Sequence, residues 1–196
     1  RIRMQEHARD PGVFIRSLAT RGHLGGLTES IYSVLKVISA AGFEVIIIET
    51  VGVGQSEIEV AKMADTSIVI AAPGAGDGIQ AAKAGILEIA DIFTVNKADR
   101  HGADATAREL RGMLAMSGES HDWISPVIPT IATEGTGFPE LTASIALHHN
   151  FLTENGLLEA KRVSRIRESL MARTLNDLAH RARSVEAEQT LAKRCA

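Results

Sequence analysis

Ile92-Phe93-Thr94-Val95-Asn96-Lys97-Ala98-Asp99 is the stretch on which the reading of this sequence turns. Its first half is short, β-branched and aromatic, the composition of a buried strand, and its second half is a polar tetrad placed where that strand must end. Residues 45–49 (VIIIE) and 67–72 (SIVIAA) have the same texture. None of the three alternates apolar with polar residues, so each is expected to be covered on both faces, as strands of a parallel sheet are.

Helical patterns lie between these runs. Ile31, Val34, Leu35 and Ile38 recur at i, i+3, i+4 and i+7, with Thr28 placed as an N-cap and Gly42 just beyond the last turn. Ile79, Ala82, Ile86 and Ile89 form a second stripe, and Leu110, Met113 and Leu114 a weaker third. A further strand is expected at 127–131, then a Gly-rich turn and a helix opened by Pro139 at its first position. Strands alternating with helices imply right-handed βαβ units, hence an α/β fold with a parallel sheet flanked by helices over residues 1–150.

Residues 151–196 read differently. From Leu157 to the end there is no Gly or Pro, which permits one helix of roughly 60 Å at about 1.5 Å per residue, or a shorter one with a break near Ser184. Val163, Ile166, Leu170, Leu175, Leu178, Ala182 and Val185 make a narrow apolar seam, the pattern of a helix that pairs with a partner.

With 196 residues, 45% of them hydrophobic, and a mean hydropathy of +0.06, the chain can bury one sizeable core. A formal net charge of −3 gives no global attraction to nucleic acid or an anionic membrane. The tail is nonetheless basic, with nine Lys/Arg against five acids from Glu159 onward, but it lacks the interleaved aromatics of a nucleic-acid surface. One cysteine, Cys195, excludes an intrachain disulfide framework and a Cys-rich zinc site. No run approaches 18 uninterrupted apolar residues, so no transmembrane helix is expected.

The tetrad Asn96-Lys97-Ala98-Asp99 carries the sharpest chemistry. It sits at the C-terminal end of a strand, the edge where open α/β sheets bind ligands. A carboxylate at Asp99 can accept hydrogen bonds from guanine N1–H and the 2-amino group. Adenine offers a lone pair and no amine there, which leaves the carboxylate unpaired. Lys97 can lay its methylene stem over the base, and the Asn96 amide can tie neighbouring loops together. The bland alternative is a chance polar turn.

A second segment, ETVGVGQSE from Glu49 to Glu57, also follows a strand run. Glu49 suits a Walker-B role, holding Mg²⁺ through water, while the amides of Gly52 or Gly54 can approach a γ-phosphate and Gln55 can orient a water. Taken alone, a Gly-rich turn is only a turn. TIATEGTG from Thr130 follows the next strand, and Ala132 is the candidate for an amide directed at guanine O6. PGAGDGIQAAK from Pro73 leaves another strand end, where Asp77 has the simpler reading of an N-cap. His148 and His149 lack ligands at metal spacing and are expected to be a solvated pair. No GxxxxGK[ST] loop occurs anywhere in the sequence.

The segments RIRMQEHARDPGVFIRSLATRGHLGGL, ETVGVGQSE, PGAGDGIQAAK and NKAD, in that order, resemble the MeaB/ArgK family, including its human MMAA type. The likeness is close over about residues 1–145 and looser through the tail. It implies a P-loop GTPase-type sheet whose first strand and P-loop would precede Arg1, followed by a helical dimerisation arm. It further implies a homodimeric G protein that binds GTP or GDP with Mg²⁺, hydrolyses GTP slowly, and gates or protects an adenosylcobalamin-dependent acyl-CoA mutase such as methylmalonyl-CoA mutase. By the same resemblance, residues 73–83 would be a switch loop acting through Asp77, Gln80 and Lys83, although Gly78 stands where many relatives carry an acid. Residues 14–26 would belong to another nucleotide-responsive region. The location implied is cytoplasmic, or the mitochondrial matrix in a eukaryote, with no membrane or nucleic-acid partner. Lacking the P-loop, the polypeptide is expected to bind GTP poorly or not at all and to expose an apolar sheet edge.

Three other readings stand beside this one. A nucleotide-independent helical dimerisation module would dimerise regardless of ligand. An amino-acid-transport kinase, the older family label, would need ATP, against which Asp99 argues. A nickel-delivery GTPase would need His or Cys ligands at an interface, a role for which Cys195 is poorly placed.

Overall fold

The computed structural model of the chain describes Met4, His7 and residues 9–18, 24–50, 61–74, 86–116 and 122–195; elements are numbered over these residues. In chain order they are α1 (Leu24–Ala40), β1 (Ile68–Ala71), α2 (Ile86–Ile89), β2 (Ile92–Asn96), α3 (Ala103–Met116), β3 (Val127–Thr130), α4 (Phe138–Glu154) and α5 (Leu157–Cys195). The described backbone groups into two compact units, residues 49–165 and residues 1–48 with 166–196.

The unit 49–165 is built on a parallel sheet in the order β1-β2-β3. Ile68 pairs with Ile92 and Ala71 with Val95 on one side of β2; Phe93 pairs with Val127 and Asn96 with Thr130 on the other. The central strand is therefore the most enclosed, and Ile92, Phe93 and Val95 are fully buried. Phe93 and Val95 pack with Ala90 and with Ala103, Ala107 and Leu110, the last three of which carry α3 onto the sheet. Burial of side chains the size of Phe93 and Leu110 stabilises the fold by roughly 2 kcal/mol each. This is the α/β parallel architecture expected from the alternating strand and helix patterns.

Gly137 shows how local geometry turns β3 into α4. It caps α4 at φ 81°, a left-handed conformation, and a Cβ there would lie 2.2 Å from the carbonyl oxygen of Pro129. Only glycine lets the chain double back this closely. Helix α4 begins at Phe138, so Pro139 occupies its second position, one later than expected. That site still suits proline, because amides in the first helical turn have no intrahelical acceptor.

In the unit formed by 1–48 and 166–196, α1 ends as its sequence requires. Gly42 adopts φ 89°, its amide donates to Ser39 O at 3.0 Å, and the Phe43 amide reaches Ile38 O at 3.5 Å. This is the paired bonding of a Schellman motif. The helix starts at Leu24, however, four residues before Thr28, so Thr28 lies within the helix and is not its N-cap.

One further expectation is corrected, and one choice between two readings is decided. Residues 45–49 form no strand; Val45 and Ile47 are 76% and 87% exposed. Apolar β-branched residues favour extended backbone, but a strand forms only where a neighbouring edge takes up its amides and carbonyls, and none of the described residues does so here. Helix α5 runs unbroken from Leu157 to Cys195 with no interruption at Ser184, since nothing in 157–195 lacks an amide donor or demands non-helical backbone.

Candidate functional site

Asn96 ends β2 at the C-terminal edge of the sheet, and its side chain organises the loops there. Its carboxamide oxygen accepts the Lys97 amide at 2.8 Å and the Ala132 amide at 3.1 Å, with the Thr130 hydroxyl 3.5 Å away. The Ala98 amide donates to Thr130 O at 3.0 Å, carrying the tie between the two strand ends past Asn96. One carboxamide thus joins the loop after β2 to the loop after β3.

Lys97 has φ 60°, alone in positive φ among the described non-glycine residues. Left-handed backbone costs an ordinary residue about 1–2 kcal/mol. Here it is held by the Asn96 bond to the Lys97 amide on one side and by the Arg100 amide, which donates to Lys97 O at 3.0 Å, on the other. Strain retained at a strand end is characteristic of binding loops. The tight turn leaves Lys97 and Asp99 exposed, with Ala132 exposed on the adjoining loop. That second loop is closed by the Ile131–Thr136 bridge and by the Glu134 amide, which donates to Ile131 O at 3.0 Å.

Beneath Asn96 run two buried hydroxyls for which the sequence reading made no provision. Thr94 donates to Ile128 O at 2.9 Å, so its oxygen is left to accept the Thr130 hydroxyl at 3.0 Å. A lone hydroxyl in the apolar run Ile92-Phe93-Thr94-Val95 was the available signal, because a buried hydroxyl needs a partner.

The structure therefore brings Asn96, Lys97, Asp99 and Ala132 together at one edge. Glu49 is exposed in the segment that follows α1. Gly52, Gly54 and Gln55, and Asp77, Gln80 and Lys83 of the expected switch loop, lie outside the described residues. A carboxylate oxygen is the hard donor that Mg²⁺ prefers, and no group of three His, Cys, Asp or Glu side chains is assembled for a metal among the described residues.

His148 corrects the expectation of a solvated pair. It is 1% exposed, while His149 is exposed. The reason is helical phase: His148 and Leu152, four apart, share the inward face of α4, and His149 is turned about 100° away. His148 Nδ1 lies 2.9 Å from Thr66 Oγ1 and its Nε2 lies 3.2 Å from Asp91 Oδ1.

A parallel α/β sheet bearing an Asn-tethered, left-handed loop on its C-terminal edge is the fold of the P-loop GTPase type. The family model described as methylmalonyl Co-A mutase-associated GTPase MeaB matches residues 1–187, and the chain belongs to that family. It is 51% identical over 173 residues to a protein of Pyrococcus horikoshii provisionally named a GTPase, covering 87% of this chain and 55% of that one. It is 35% identical over 178 residues to the GTPase ArgK of Escherichia coli, covering 89% and 54%. It is 34% identical over 170 residues to the mitochondrial methylmalonic aciduria type A homolog of Caenorhabditis elegans, covering 85% and 43%. The chain spans about half the length of the curated relatives it matches.

Proposed function

We propose that this chain supplies the guanine-recognition side and the helical arm of a GTP-binding, GTP-hydrolysing chaperone that gates or protects a cobalamin-dependent acyl-CoA mutase. The observation that carries the reading is the Asn96 tether, which fixes the Lys97 turn and leaves Asp99 exposed beside Ala132. In that role Asp99 accepts from guanine N1–H and the 2-amino group, Lys97 covers the base, and the Ala132 amide, which bonds to Asn96 at this edge, would serve O6. Glu49 would hold Mg²⁺ through water, Gly52 and Gly54 would approach the γ-phosphate, and Gln55 would orient water for hydrolysis. Magnesium supplies charge neutralisation on the phosphates. Asp77, Gln80 and Lys83 are proposed to relay nucleotide state to the mutase.

The family's name and the methylmalonic aciduria homolog support a mutase client. Exposure of Val163, Ile166, Leu170, Leu175 and Leu178 along α5 supports homodimerisation through the arm. The same stripe favours the second reading, a dimerisation module indifferent to nucleotide. No described helix is long and apolar enough to cross a membrane, and a cytoplasmic or mitochondrial-matrix location is part of the proposal.

An NMR titration of the chain with GDP and ADP to millimolar concentration tests base recognition even if affinity is weak. GDP is expected to shift the amides of Lys97, Asp99 and Ala132, and ADP to leave them unmoved. Equal shifts with both, or none with GDP, would sink the guanine reading in favour of the module.

A further inference from the structure

At the N-terminal edge of the sheet, opposite the guanine loops, a polar cluster joins five segments of the 49–165 unit. Asp91, just before β2, is its hub. Its Oδ2 accepts the Ser67 amide at 2.7 Å, and its backbone oxygen accepts Trp123 Nε1 at 2.8 Å. Its Oδ1 faces two cations or potential cations: His148 Nε2 at 3.2 Å and Lys161 Nζ at 3.6 Å. Lys161 also donates to Asp65 O at 3.3 Å. The Trp123 ring centroid lies 4.8 Å from that of His148.

We propose that His148, Asp91 and Lys161 form a proton-operated latch that holds the first two turns of α5, residues 157–165, against the sheet. With a neutral imidazole protonated on Nε2, that N–H faces Asp91 Oδ1, Nδ1 accepts from the Thr66 hydroxyl, and Lys161 is the one full positive charge on Asp91 Oδ1. Protonation changes two of these at once. Nδ1 becomes a donor, so the Thr66 hydroxyl must turn round to accept, and a second cation now shares the same carboxylate oxygen.

Burial decides which cation leaves. His148 is 1% exposed and cannot be hydrated in place, whereas Lys161 is 40% exposed and can swing into water. Lys161 is therefore expelled, taking its bond to Asp65 O with it. The rest of the surroundings do not compensate. Asp65 is already engaged by Arg165 and Arg162 of α5, the 122–126 segment contributes the neutral indole, and His149 is the adjacent titratable group on α4. Burial, together with Lys161 and His149, holds the His148 pKa below its ordinary 6.5 against the opposing pull of Asp91, so the latch stays closed at neutral pH. Since Arg165 still grips Asp65 and Met63 O, release is local rather than global.

Trp123 is the only tryptophan in the sequence and reports the site directly. Titrating the full chain from pH 8 to 5, we expect its fluorescence to fall with a midpoint below 6.5 as imidazolium forms beside the indole. Backbone amides of 157–165 should lose protection over the same range, read as observed exchange rates divided by the intrinsic rates at each pH, with far-UV helicity unchanged. His148→Gln should abolish the transition. Lys161→Met, at an exposed position, removes the competing charge and should raise the midpoint by about half a unit. Persistence of the transition in His148→Gln, an unmoved midpoint in Lys161→Met, or simultaneous loss of all helicity would each overturn the latch. If His148→Gln does not fold, Lys161→Met decides alone. No outcome depends on nucleotide, so the latch and the guanine reading stand or fall separately.

Discussion

The carboxamide oxygen of Asn96 accepts the backbone amide of Ala132 at 3.1 Å, joining two loops that are 36 residues apart in the chain. The same oxygen takes the Lys97 amide, so replacing Asn96 with Ala removes the acceptor of two bonds. Both bonds are exposed, and water can substitute for the lost partner; a cost of about 1 kcal/mol is expected, measurable by urea denaturation. Amide exchange at Ala132 and Lys97 should accelerate well beyond that of the Phe93 amide. Unchanged exchange at Ala132 would show that the loop is held by other contacts.

Asp99→Asn tests how the base is read. An Asn side chain offers an amide donor where the carboxylate offered only acceptors, so it matches the 2-oxo group of xanthine and mismatches the 2-amino group of guanine. Binding should shift from GDP toward XDP by at least about 100-fold in ratio, which equals roughly 2.7 kcal/mol. Competition between the two nucleotides gives the ratio directly. An unaltered preference would remove Asp99 from the recognition surface.

Gly137 and Gly135 separate backbone strain from steric collision. Both have positive φ, but a Cβ on Gly135 meets open space, whereas one on Gly137 strikes Pro129 O. Gly135→Ala should cost about 1 kcal/mol from conformation alone. Gly137→Ala adds the clash and should cost about 3 kcal/mol or displace the β3–α4 turn. Chemical denaturation of the two variants side by side makes the comparison; equal costs would contradict the close approach.

Asp65 governs part of the acid stability. Burial pushes its carboxyl pKa up, but Arg165 and, less strongly, Arg162 outweigh that and bring it below the ordinary 3.8. A folded-state pKa below the unfolded one means that the pairing stabilises fully above about pH 4 and is lost as pH falls through the lowered value. Asp65→Asn should therefore lower the melting temperature at pH 7 and flatten the decline below about pH 4. A parallel shift of the whole pH profile would instead assign Asp65 a role independent of its charge.

Legibility in the sequence followed the range of the interaction. The run Ile92–Asn96 was readable as a strand end to end, because it is apolar on both faces and stops at a polar tetrad. Gly42 was readable as a helix terminator for an equally local reason, since left-handed backbone favours glycine. By contrast, 45–49 carries the same β-branched signal as β2 and forms no strand, because pairing depends on a neighbour that local composition does not report. The two hydroxyls of Thr94 and Thr130 meet only through the β2–β3 register, which was invisible beforehand.

The tetrad Asn96-Lys97-Ala98-Asp99 and its place at a strand end were determined by the sequence alone, because residue type and hydrophobic period are local properties. Tertiary structure decided that the Asn96 oxygen would be spent on Ala132, that Lys97 would be held in a left-handed turn, and that His148 would be buried against Asp91 and Thr66 rather than left in water. Each of those outcomes requires groups far apart in the chain to come within hydrogen-bonding distance. No periodicity encodes such a meeting; it follows from how the strands align and which face of α4 turns inward.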